Sequence, residues 1–100
     1  MWVLEAPADA VEVTGPLRCY RVSSFAERAW CGDCGTQLWI KDDDGPHEIS
    51  PGLFDTARGL PLSHEIYADR AFASVALAGG HRRVTRGEYE ASHRAVPTGA

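Results

Sequence analysis

One hundred residues, 44% of them hydrophobic and 24% charged, suit an ordinary globular domain with one core and leave no room for a second. A formal charge of −4, with the basic residues scattered except at Arg82-Arg83, supplies no cationic field for nucleic acid, and no apolar run approaches the ~18 residues of a membrane span. The start Met1-Trp2-Val3-Leu4-Glu5 lacks a basic region and a cleavage site, and three cysteines are an odd set for a secreted disulfide framework, so the expected location is cytoplasmic.

Short β-rich runs follow one another along the chain. Residues 2–4 and 11–14 read as strands, with a turn over Pro7-Ala8-Asp9-Ala10 between them and Gly15-Pro16 after them. Residues 17–22 predict a third strand, 27–30 a fourth that runs into a cysteine loop, and 37–41 a fifth that leaves it. Asp42-Asp43-Asp44, followed by Gly45-Pro46, is read as a solvated turn. Residues 47–50, 51–55 and 64–67 are expected to form further short strands, while 72–78 could be helix or strand. Thr85-Arg86-Gly87-Glu88 has the pattern of a capping box, which predicts a C-terminal helix over 86–94. The tail 97–100 is expected to fray. The fold class is therefore mainly β, in a single domain over 1–96 with a short C-terminal helix.

The chemistry concentrates in Cys31-Gly32-Asp33-Cys34-Gly35. Two thiols three residues apart can chelate one metal from a tight turn, and a glycine after each cysteine opens backbone angles that let amides approach the thiolates. A structural zinc site needs four donors, of which this motif supplies two. Cys19 stands alone on a predicted strand and reads as a small buried hydrophobe, and His47, His64, His81 and His93 show no paired spacing. An active dithiol and a pair of free thiols remain open beside the metal reading. The dithiol lacks a following helix, because residues 36–40 read as a strand. For a small-molecule pocket, His64 and Asp69 are the polar groups to inspect, although His64 more simply orders a turn or a strand start. Trp30, Trp39 and Tyr67 read as core or sheet-face aromatics.

Tyr20-Arg21-Val22-Ser23-Ser24, then Glu27-Arg28-Ala29-Trp30-Cys31-Gly32-Asp33-Cys34-Gly35-Thr36-Gln37-Leu38, resembles the glutathione-dependent formaldehyde-activating family, which includes centromere protein V. Gly52-Leu53-Phe54-Asp55 is similar to that family's Gly-Ser-Leu-Asp turn, and His64-Glu65-Ile66-Tyr67-Ala68-Asp69 to its His-Ile-Trp-Val-Asp-Asp stretch. The resemblance implies a Mss4-like (β-tent) fold and a structural zinc on Cys31 and Cys34; the two-donor deficit adds the expectation that two chains could each lend their pair and share the ion in a homodimer. The resemblance also implies a carbon-sulfur lyase type of reaction that adds a thiol such as glutathione to formaldehyde or a related small aldehyde. In the family two N-terminal motifs, Cys-x-Cys and Cys-x-Cys-x-x-Cys, complete the structural site and hold a second, catalytic zinc. This sequence contains neither, so by comparison it reads as N-terminally shortened, with no catalytic residue to assign. Two expectations follow: an enzyme whose upstream frame supplies those motifs, or a non-catalytic β-scaffold that keeps half a zinc site.

Overall fold

The computed structural model of the chain describes residues 1–95, so the tail expected over 97–100 lies outside the described residues. The chain divides into two compact units, Met1–Gly59 and a second beginning at Leu60.

The first unit is a five-stranded antiparallel sheet. Its strands are β1 (Leu4–Ala6), β2 (Leu17–Arg21), β3 (Ala26–Cys31), β4 (Gln37–Asp42) and β5 (His47–Ile49), in the spatial order β1-β5-β4-β3-β2. One row of facing residues, Leu4, Ile49, Trp39, Ala29 and Cys19, crosses all five strands. Its middle three side chains are the core, with Ala29 wholly buried and Ala6, Val11 and Leu38 packed around them. The small Ala29 directly opposite Trp39 leaves room in the row for the bulky indole.

Several strands differ from the sequence reading. The first lies at Leu4–Ala6, not 2–4, because the register sets Leu4 opposite Ile49 and leaves Trp2 outside the sheet, 68% exposed. Residues 11–14 are not a strand. β1 and β2 lie at opposite edges, so the chain between them must cross the sheet; a 3₁₀ turn over Ala8–Ala10 starts this crossing, and Val11 packs on the core. Residues 51–55 form 3₁₀ turns, Pro51–Leu53 and the start of Asp55–Gly59, because Pro51 fixes φ at a first helical position. The acidic turn is present. Gly45 N–H donates to Asp42 O at 3.0 Å, and Asp43 takes a bidentate pair from Arg21, at 2.7 and 3.2 Å, which ties the turn to β2.

In the second unit β6 (His64–Glu65) pairs in parallel with β7 (Arg82–Arg83), a strand the sequence did not announce. Residues 72–78 are neither helix nor strand throughout, but hold one 3₁₀ turn, Ala73–Val75. The capping box is formed: Glu88 N–H donates to Thr85 Oγ1 at 3.2 Å and Thr85 N–H to Glu88 Oε1 at 3.1 Å. The helix, α1, spans Arg86–Glu90 and not 86–94. Ser92 and His93 both direct their N–H groups to Tyr89 O, and the two side chains contact the same carbonyl, which closes the last turn. Among the described residues, no helix is long and apolar enough to cross a membrane.

With so few side chains enclosed, Trp39 carries much of the first unit. Trp39→Ala is expected to cost about 3–5 kcal/mol, read as a lower midpoint in urea unfolding. A second expectation concerns His47, whose ring meets Trp39 edge-on at 4.9 Å. Burial, and then the charge of Lys41, push its pKa below the ordinary histidine value. The unfolded chain thus takes this proton first, so stability is undiminished above about pH 6.5 and falls as pH drops from there toward the folded-state pKa. His47→Gln should flatten that part of the stability–pH curve, and the imidazole resonances should titrate below the usual midpoint.

Candidate metal centre

Cys31 ends β3, and Cys34 lies in the turn that leads to β4. The turn is held by its own backbone: Gly35 N–H donates to Cys31 O and Cys31 N–H to Thr36 O, each at 2.9 Å. Gly35 has φ +78°, a left-handed value that other residues reach only with strain. Gly32 serves differently. Its N–H donates to Pro16 O at 3.1 Å, and a side chain there would press on Arg18 Cγ at 3.3 Å. A register shift between Ala29 and Trp30 precedes the turn and re-aims the end of β3.

The N–H groups of both glycines donate to carbonyls, so neither glycine amide is the one that reaches a thiol. Cys34 instead shares a hydrogen bond with Thr36 Oγ1 at 3.1 Å. That hydroxyl first, then the Thr36 backbone and the Cys31 thiol, hold the Cys34 pKa below the ordinary thiol value, against partial desolvation and the charge of Asp33. Thr36 was thus the missed residue. A hydroxyl two positions beyond a cysteine is the signal that could have found it.

The pair fits a soft divalent cation as half of a donor set. Both cysteines belong to one turn, and Cys34 is exposed while Cys31 is half-buried. Among the described residues, no three His, Cys, Asp or Glu side chains come together as a metal-holding group. Cys19, read as buried, is exposed, because it ends the core row on the sheet's edge strand. Beside the turn an open depression of about 320 Å³ is lined by Arg28, Trp30, Gly35 and Gln37. Trp39 is a core aromatic as expected, and Trp30 and Tyr67 are half-buried.

His64 and Asp69 have other tasks. His64 is exposed at the start of β6 and shares a hydrogen bond with Ser63 Oγ at 2.8 Å, and Asp69 accepts from Arg86 N–H at 2.8 Å, at the start of α1. A further cluster was not read from the sequence. His81 Nε2 and Arg83 Nε each lie 3.3 Å from Glu65 Oε1, with the His81 side chain only 3% exposed. The His81 contact is close but misdirected for a hydrogen bond. Only the parallel pairing that sets Glu65 beside Arg83 assembles this group, so no local pattern announces it.

Scans of the chain against protein-family models, curated proteins and solved structures found no match.

Open space surrounds the Cβ position of Gly35, so substitution there tests backbone conformation alone. Gly35→Ala is expected to cost about 1–2 kcal/mol in thermal or urea unfolding. Gly52→Ala, also in open space but without a positive φ, should leave stability within about 0.5 kcal/mol of the parent.

Proposed function

We propose that this chain is a zinc-binding β-domain of the formaldehyde-activating kind, with Cys31 and Cys34 as two thiolate ligands of a structural ion and a Mss4-like arrangement of its sheets. One observation carries the reading. Two cysteines belong to a single strand-to-strand turn, and a hydroxyl 3.1 Å from Cys34 Sγ favours the thiolate form that a metal requires. Bound zinc would pin the end of β3 to the start of β4.

The reaction belongs to this reading by likeness: a thiol such as glutathione adds to formaldehyde or a related aldehyde, forming a carbon–sulfur bond. Lewis-acid chemistry of that kind needs an ion with an open coordination position. In this chain the depression beside the turn offers Arg28 to a carboxylate and Trp30 as an apolar wall, features suited to a small anionic thiol. The absence of a third donor beside the pair among the described residues favours a second reading, a non-catalytic scaffold that keeps half a zinc site.

Elemental analysis of the purified protein tests the first reading. Zinc should copurify, be removed by a chelator, and be lost from Cys31→Ser and Cys34→Ser; wild-type protein that stays metal-free in zinc-supplemented buffer would sink it. The readings separate on activity. Carbon-labelled formaldehyde and glutathione, followed by NMR, should form their adduct faster with the zinc-loaded protein than without it if the domain is an enzyme, and at the uncatalysed rate if it is a scaffold.

A further inference from the structure

The outer edge of the five-stranded sheet is β2, and each of its five residues is exposed. Two bonds fix which of its backbone groups face outward. Val22 N–H donates to Ala26 O and Gly32 N–H to Pro16 O, each at 3.1 Å. Hydrogen-bonded and non-bonded pairs alternate along an antiparallel ladder, so Arg18 opposite Trp30 and Tyr20 opposite Arg28 turn their N–H and C=O groups toward β3. Leu17, Cys19 and Arg21 therefore direct theirs away from the sheet, on a side where, among the described residues, β2 has no neighbouring strand.

We propose that two copies of the chain pair their β2 strands antiparallel about a two-fold axis at Cys19, joining the two sheets into one. In this register Cys19 faces the partner's Cys19, Leu17 faces the partner's Arg21, and Arg21 faces the partner's Leu17. All outward N–H and C=O groups of β2 are then satisfied. Between these pairs Arg18 meets the partner's Tyr20, whose ring is 59% exposed in the single chain, and a guanidinium beside a phenol ring is a favourable cross-strand pair. Sliding one copy by two residues leaves two facing pairs within the strand in place of three. One direction of that slide also sets Arg18 against the partner's Arg18, a like-charge contact.

Charged residues usually guard a free edge. Here Arg21 is already neutralised by Asp43 at 2.7 Å, and Arg18 gains an aromatic partner, so neither repels a second β2. The edge is also apolar, with Leu17 39% and Val22 38% exposed. This seam does not depend on the metal reading. Cys31 lies opposite Leu17, two residues from the axis and one strand in, which places the two cysteine turns about 20 Å apart, too far to share an ion.

Sedimentation equilibrium of the purified chain, with and without chelator, should give twice the mass of one chain at about 100 µM, a concentration that populates even a weak dimer. A monomer, or a dimer that dissociates when zinc is removed, overturns the proposal. Cys19→Pro is the informative variant. It removes an outward N–H from each copy while leaving the β2–β3 bonds intact, so it should keep the far-UV circular dichroism and weaken the dimer at least about tenfold. Undiminished dimerisation of that variant overturns the proposal. A short bifunctional thiol reagent gives an independent readout on the wild-type chain, so the outcome does not rest on the proline variant folding. It should link two copies through Cys19, and Cys19→Ser should abolish the link while keeping the dimer mass. Linkage that survives Cys19→Ser, or is absent from the wild type, counts against the axis.

Discussion

The first unit depends on one row of cross-strand contacts, Ile49 against Trp39 against Ala29, at the centre of its sheet. Side chains directly opposite one another in an antiparallel pair are the elementary unit of sheet stability, and here a single aromatic touches the small residue on one side and the branched one on the other. Register follows from that contact. A shift of one residue in β4 would send Trp39 to the opposite face and exchange it for Leu38 or Ile40, neither of which fills the same volume. The half-buried Ala6, Val11 and Leu38 close the margins of this row, so the chain that crosses between the two sheet edges also serves as its lid.

From that register follows the placement of the cysteine turn. β3 and β4 are held together at Ala29 and Trp39, and the irregularity immediately after Ala29 is where the ladder gives way to the turn. The end of β3 is therefore rigid on one side and open on the other. That combination sets the two cysteines on a fixed base, Cys34 exposed and Cys31 half-buried, and Thr36 then biases Cys34 toward its ionised form. The glycines divide the remaining labour: Gly35 takes the left-handed angle that reverses the chain, and Gly32 lets the turn approach Pro16 and Arg18.

Much of this was legible in the sequence wherever the determinant is local. β2 to β5 are short segments, each with at least one large apolar residue, bounded by turn formers, and the capping box at Thr85 is complete within four residues. Determinants that arise only from topology were not legible. The run at 11–14 has β propensity, yet it must carry the chain from one edge of the sheet to the other, so no strand is available to pair with it. β7 consists of two arginines and is a strand only because the His64–Glu65 segment lies alongside. Cys19 failed for a related reason. Its strand was correctly expected, but whether a residue at that position is covered depends on being last in the strand order, which no single strand encodes.

The smallness of the core bears on what a metal would mean for this protein. Among the described residues the buried apolar side chains are Ala26, Ala29, Trp39 and Ile49 in the first unit and Val84 in the second, two of the five being alanines, so hydrophobic burial supplies a narrow margin against chain entropy. A complete structural zinc site contributes about 10–16 kcal/mol in small zinc domains, comparable with the whole net stability of an ordinary domain, about 5–15 kcal/mol. A ligand that binds only the folded chain stabilises it in proportion to the logarithm of its saturation, and a pair of thiolates on the sheet's central hairpin acts where the core row is anchored. Metal occupancy would consequently add to the stability of a first unit that already folds around its core row. The same narrow margin explains why an exposed edge strand matters in so small a sheet: each backbone group satisfied there adds to a total in which one or two kcal/mol is a large share.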